Sequence, residues 1–500
     1  MKKFFQWKKV VSLSLASLML ALGAGETVQA SSLPYDTYNY DYREYIHYTP
    51  AAYAPSGSIK GESLTYNGES LGKFTTPQDL CEDAEGNVYV ADTGNNRIVV
   101  LSPDMKKVKN VITTFDNNGQ EDSFNQPYGV CVSERGRLYV ADSQNRRVVI
   151  LEKDGTFVGT VQDPVSESLE DGYVFTPLKV TVDYADRVYV IAQNMFEGIM
   201  VFENSGKFSS FIGTINVEIS VWEKFWKRIA TKEERSKQQL YIPTEFTGID
   251  IDPDGFVYAT NIDATGVQGV RRLNPKGEDV IKKGENENVG GDLQIDGSTD
   301  YAGPSQFTDV VYRENGIYTC LDRRRGRLFT YDYEGNLLYV FGGLGTQKGT
   351  FHMPVAVEDL GDKIVVLDAT RAEIMTFSVT EYGRLINEAV ALRYDGDESE
   401  AVSLWQRVLE LDENNELANT GIGKAYLTAG EYKLALKYLE LGMNRDYYSI
   451  AFRRYRNELL IDNASYFLTG ILVLVVAYQV FKRVKGKKKG KKEEGGLLNG

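Results

Sequence analysis

Carboxylates and guanidinium groups recur in this 500-residue chain at one spacing. Asp92 precedes Arg97 by five residues, Asp142 precedes Arg147, and Asp322 precedes Arg327. A carboxylate beside an arginine is either a structural ion pair or part of an acid–base centre. Recurrence favours the structural pair, because a catalytic centre needs its groups to converge at one place. Histidine adds little: His47 and His352 are the only two, too few for a three-His zinc site. The chain has no G-x-S-x-G elbow and no Cys/His pair, so no catalytic residue is assigned. Its cysteines, Cys81, Cys131 and Cys320, are too few to make a disulfide framework and read as small buried residues.

The spacing belongs to a larger repeat. Residues 74–101 (FTTPQDLCEDAEGNVYVADTGNNRIVVL) and 124–151 (FNQPYGVCVSERGRLYVADSQNRRVVIL) stand fifty apart. A fixed period of this size means stacked or circular repeats. Each copy breaks into short apolar runs bounded by Gly, Asn and Asp, which read as strands. Further copies start near Pro177, Phe246, Phe307 and Phe351. Six four-stranded units predict a mainly β fold, a six-bladed propeller over about 61–390, which hides its sheet edges by radial closure. The closing strand is expected near Leu64–Phe74 or Arg384–Val390.

The pattern P-x-G-[VI]…G-x-[IL]-Y-V-A-D…N-x-R-[IV] resembles the NHL repeat, closely in the first two copies. Copies three and four lose the Asp–Arg pair, and in the sixth Glu373 stands where the arginine would be. The resemblance implies a fold and is nearly silent on function, because propellers host many roles. Equivalent positions at the inner-strand mouths are Asp79, Gly129, Lys179, Gly248, Asp309 and Ala356. Asp79, Lys179 and Asp309 are the candidate ligand-binding residues there, suited to a small polar ligand. With a lysine among them they make a poor metal ring, and no metal or cofactor is assigned. A calcium-dependent, lactonase-like hydrolase with its site at this mouth is the alternative.

The ends of the chain predict a compartment. Residues 1–30 have a basic start, an apolar stretch and a small-residue cleavage site, the form of a secretory signal peptide. Residues 464–481 are eighteen without charge, long enough to cross a bilayer. The tail 482–500 carries eight basic residues, which the positive-inside rule puts in the cytoplasm. The net charge is −14; with +3 on residues 1–30 and +6 on 482–500, residues 31–481 carry −23. So acidic a surface argues against nucleic acid as a partner.

Three further segments interrupt the pattern. Residues 31–60 form a Tyr/Pro-rich strap, read either as packing on the propeller or as an aromatic contact surface. An insertion at 216–241 has the spacing of an amphipathic helix, with Trp222, Phe225 and Trp226 as candidate partner or membrane contacts. The acidic, Gly-rich run 285–301 lacks calcium-loop spacing, and Arg323–Arg325 read as a solvated loop tip. In 391–460 the period becomes 34 (Ala401 to Ala435, Trp405 to Leu439), and these helical runs resemble tetratricopeptide repeats.

The expectation is a single-pass membrane protein with its large domain outside, acting as a binding scaffold or sensor for a protein or carbohydrate. It resembles exported NHL-repeat proteins of Gram-positive-type bacteria. Some of these are associated with sugar-uptake transporters, which implies an ABC-type transporter as partner.

Overall fold

A computed structural model describes residues 33–164, 169, 172–214, 245–263, 268–284, 290–293 and 303–494. Six antiparallel sheets follow one another along the chain and pack through their inner strands. Those inner strands are Asp79–Glu82, Pro127–Val132, Pro177–Val182, Phe246–Ile251, Phe307–Tyr312 and Pro354–Asp359, in blades 1 to 6. The middle strands are apolar on both faces, as Val88–Asp92 and Leu138–Asp142 show with every residue buried. Both faces are covered because each sheet is sandwiched between neighbouring blades. Blade 4 has three strands among the described residues.

The ring is closed from the N-terminal side. Tyr53–Lys60 pairs antiparallel with Glu373–Val379 as the outer strand of blade 6, from Tyr53 opposite Val379 to Lys60 opposite Glu373. This corrects both expected locations of the closing strand. Arg384–Val390 cannot serve, because Thr380 caps a helix there, its Oγ1 accepting from the Gly383 N–H at 3.2 Å. Leu64–Phe74 instead makes a small ladder, Thr65–Tyr66 on Glu69–Ser70, and buries Leu64, Leu71 and Phe74 against blade 1.

The tyrosine strap divides. Tyr38–Tyr40 and Ile46–Tyr48 form a hairpin whose first strand pairs with Leu337–Phe341, extending blade 5 to six strands. Tyr38, Tyr40 and Tyr53 are buried, whereas Tyr42, Tyr45 and Tyr48 are exposed. The strap is thus packing at its ends and open aromatic surface between them.

Six helices follow the propeller among the described residues: α1 Glu381–Asp395, α2 Glu398–Leu411, α3 Glu416–Thr428, α4 Tyr432–Leu441, α5 Arg445–Asp462 and α6 Ala464–Glu494. Gly396, at φ 92°, ends α1 in the left-handed region that glycine enters without strain. The residues 34 apart, Ala401 and Ala435, Trp405 and Leu439, are all fully buried. Helices α1 to α3 share one apolar core with blades 5 and 6: Tyr382, Leu385, Ile386, Trp405 and Ile422 join Tyr53, Tyr339, Phe341 and Val357. Glu334, in the last turn of blade 5, clamps both Arg393 of α1 at 2.6 Å and Lys424 of α3 at 2.9 Å. In α6, Ala464–Lys485 has mean hydropathy 1.9 and no buried share, so by length and composition it is apolar enough to cross a membrane.

Candidate functional site: two layers on the propeller axis

Side chains two apart on a strand face the same way. Along the inner strands this gives two layers around the axis. The first layer is Asp79, Gly129, Lys179, Gly248, Asp309 and Ala356. The second, two residues on, is Cys81, Cys131, Thr181, Asp250, Val311 and Glu358.

In the first layer blades 1, 3 and 5 supply charge and blades 2, 4 and 6 supply space. Lys179 Nζ lies 2.5 Å from Asp79 Oδ1 and 3.2 Å from Asp309 Oδ1. The other carboxylate oxygens reach the next blade: Asp79 Oδ2 accepts from Val130 N–H at 2.9 Å, and Asp309 Oδ2 from Val357 N–H at 3.0 Å. The glycines are required by close approach. A Cβ on Gly129 would sit 2.5 Å from Leu178 O, and one on Gly248 2.5 Å from Asp309 Cα. Burial pushes the Asp79 carboxyl up against the pull of Lys179, and pushes Asp309 up to about 6. Burial also depresses the Lys179 ammonium, but the two carboxylates outweigh it and hold Lys179 charged above its ordinary range. The structure therefore brings Asp79, Lys179 and Asp309 together in a buried triad whose charges answer each other. The lysine occupies the space between the carboxylates where a calcium ion would have to sit.

The second layer is open. It floors a funnel of about 870 Å³, walled by the ends of the inner strands and reached at its rim by Asn387 and Glu388 of α1. Glu82, Asp250 and Glu358, from blades 1, 4 and 6, line it with no paired cation among the described residues. Burial pushes Glu82 up to about 7, with the Asp359 charge adding. Burial likewise pushes Asp250 to about 7, although its oxygens accept from Tyr312 N–H at 2.6 Å and Ile251 N–H at 2.8 Å. Glu358 is driven well above the carboxylate range by burial and by the Asp250 charge. Arg313, the cation that lines the wall among the described residues, is already engaged: its guanidinium donates to Tyr53 Oη at 2.6 Å and Tyr339 Oη at 3.0 Å and lies 3.2 Å from Asp359. Cys81 and Cys131 are free thiols held up by burial, Cys131 to about 12, so neither is a ready nucleophile. Among the described residues no group of three His, Cys, Asp or Glu is arranged to hold a metal ion.

The repeat pairs lie away from the axis. Arg97 Nε donates to Asp92 at 2.7 Å and Arg147 Nε to Asp142 at 2.9 Å. The same aspartates accept from the loops that enter the inner strands, Thr75 N–H and Asn125 N–H, both at 2.7 Å. In blade 5 the pairing differs. Arg327 donates to Asp292 at 2.6 Å and to Tyr38 Oη at 2.9 Å, while Asp322 accepts from Gln306 and Arg324 N–H and faces Arg325 at 3.5 Å. The cause is a competing carboxylate: Asp292 is held under the hairpin by Tyr38 and Tyr40. Arg325, read from sequence as part of a solvated tip, is half-buried and lies 3.2 Å from Asp292 and 3.5 Å from Asp322. Trp222, Phe225 and Trp226, with the helix expected at 216–241, lie outside the described residues.

Sequence reasoning missed Glu82, Asp250 and Glu358. The signal was available: the same blade-by-blade comparison, shifted two residues along each inner strand, exposes Asp250 and Glu358 on the axis.

The NHL repeat family profile matches residues 74–101 and 124–151, which hold the entry loop and first three strands of blades 1 and 2. No curated protein matches the chain. Among solved structures it is similar to virginiamycin B lyase from Staphylococcus aureus, at 11% identity and TM-score 0.40, covering 65% of this chain and 99% of that one. Hydrazine synthase from Kuenenia stuttgartiensis gives 10% identity and TM-score 0.38 over 62% of this chain and 97% of that one. A structural genomics protein from Bacteroides thetaiotaomicron gives 15% identity and TM-score 0.40 over 69% and 75%. The chain is a six-bladed β-propeller, two of whose blades carry the NHL repeat.

Proposed function

We propose that this protein is a membrane-anchored, extracytoplasmic binding scaffold whose propeller receives a cationic group of a partner protein in the acidic funnel. The observation that carries the reading is the contrast in charge on the axis. The inner triad holds a lysine between its two carboxylates, whereas Glu82, Asp250 and Glu358 face an open cavity with no paired cation among the described residues. A lysine or arginine side chain supplies the missing charge, and charge complementarity of this kind sets specificity and encounter rate. The −23 on residues 31–481, the leader-like N-terminus, the apolar α6 and the basic tail support an outside propeller on a single-pass anchor. The 34-residue helical spacing supports a tetratricopeptide-like brace between propeller and membrane. A subunit of a sugar-uptake transporter presenting a basic loop is the partner class that the resemblance suggests.

The test is direct. Full-length protein in detergent is titrated with a lysine-rich octapeptide and with its glutamate counterpart. The lysine peptide is expected to bind, more tightly at pH 8 than at pH 6 as Glu82 and Asp250 ionise near 7. The combined variant Glu82→Gln, Asp250→Asn, Glu358→Gln is expected to lose at least tenfold in affinity. Equal binding by the variant would remove the funnel as the site.

A further inference from the structure

A second cleft lies at the seam of three parts of the chain and shares no residue with the funnel. It is about 250 Å³, formed by the tyrosine hairpin, the last turn of blade 5 and the turn between α2 and α3. We propose that this cleft binds a single neutral sugar ring.

Size comes first. Ligand pockets for drug-sized molecules run from about 300 to 1,000 Å³, so this one suits a single ring and not a peptide of several residues. Its lining comes next. Tyr42 contributes a ring with the Arg43 guanidinium over one face, 5.0 Å from the centroid, so it is the opposite face that offers an apolar surface for the C–H side of a sugar. Asn414 brings an amide and Asn336, whose Nδ2 donates to Asp332 Oδ2 at 3.0 Å, brings its carbonyl oxygen; together they donate and accept, as vicinal hydroxyls require. Among the described residues the wall holds the carboxylates of Asp41 and Glu416 and no lysine or arginine, which disfavours phosphates and other anions.

The walls are also set in advance. Asn39 Nδ2 donates to Leu337 O at 2.9 Å, pinning the hairpin to blade 5. His47 Nε2 lies 3.0 Å from Asp412 Oδ1, pinning the hairpin to the end of α2. Asn415 Oδ1 caps α3 by accepting from Ala418 N–H at 2.8 Å, and its Nδ2 donates to Tyr382 Oη at 3.0 Å. A cleft whose backbone and floor are fixed loses little entropy on binding, which matters for a ligand with few atoms.

The experiment uses the full chain in a detergent without a sugar headgroup, since maltosides and glucosides would compete. Glucose, galactose and N-acetylglucosamine are tested by saturation-transfer NMR and calorimetry. At least one is expected to bind; Tyr42→Ala and Asn414→Ala should each weaken it at least tenfold, Tyr42→Phe should retain it, and Tyr48→Ala should leave it within twofold. Tyr48 is the control because it is exposed on the same hairpin and lies outside the cleft. No binding by any of the three sugars overturns the proposal. So does binding that survives Tyr42→Ala, or a dipeptide that displaces the sugar at lower concentration than the sugar itself.

Discussion

Two layers of one propeller axis, two residues apart along each inner strand, treat charge in opposite ways. In the first, Asp79, Lys179 and Asp309 are drawn from alternate blades and meet, while Gly129 and Gly248 clear the room for them. In the second, Asp250 and Glu358 sit beside the neutral Cys81, Cys131 and Thr181 and face solvent-filled space. Buried ions without partners are expensive, so a protein either pairs them or leaves them access to water. The first layer pairs them and so ties blades 1, 3 and 5 across the axis. The second leaves them open, which is tolerable for folding and useful for binding. Position on the axis therefore does not decide the role of a carboxylate; the presence of an internal counter-charge does.

That contrast can be broken most severely at Lys179. Lys179→Met strands two buried carboxylates, and removing one partner of a buried ion pair costs roughly 3–5 kcal/mol. A fall in Tm is expected, partly recovered when Asp79→Asn and Asp309→Asn are added. An unchanged Tm would show that the triad does not hold the ring. Gly248→Ala tests the space between the charges, since its Cβ would sit against the Asp309 backbone. Overpacking of this kind costs about 1–3 kcal/mol, read as a shift in denaturant midpoint at constant slope.

The smallest effect has the opposite sign. Glu82 titrates near 7 in the folded protein against an ordinary 4.5, so the native state holds its proton more tightly. Its contribution to stability is fully present below pH 4.5 and is lost as pH rises through 7. Glu82→Gln should therefore stabilise the protein at pH 8 by about 1 kcal/mol after allowance for solvent screening, and change little at pH 5. Thermal melts at the two pH values check this; equal effects at both would mean that Glu82 is already neutralised in the fold.

Much of this is legible in the sequence. The fifty-residue period named the blades, and lining up the copies placed Asp79, Lys179 and Asp309 at one level of the axis. What the repeat could not say was that they would satisfy one another, because opposite charges separated by 100 residues in sequence meet only when the ring is closed. Arg327 shows the limit of extrapolating from a repeat. Its spacing to Asp322 copies Arg97 to Asp92, yet Asp292, carried in by a loop outside the repeat, takes the guanidinium. The closing strand was hidden for a similar reason. Tyr53–Lys60 (YAPSGSIK) alternates in burial only once it is paired, and nothing local tells which distant edge it will join.

That closing strand has a consequence for how the molecule is made. Tyr53 is hydrogen-bonded into the same sheet as Val379, and the Thr380 N–H reaches Ala52 O at 2.9 Å where α1 begins. During synthesis the first blades emerge with an open end, and the segment that will seal the ring waits until the last blade exists. Such pairing between distant parts of a chain is slow, because loop-closure entropy is lost before any contact rewards it. A nascent chain of this kind is exposed longest at Tyr53–Lys60, the strand made early that stays unpaired until Glu373–Val379 exists. Trimming the N-terminus into residues 53–60 should thus yield an unclosed ring prone to edge-to-edge association. The strap works as the clasp of a circular chain, fastened last.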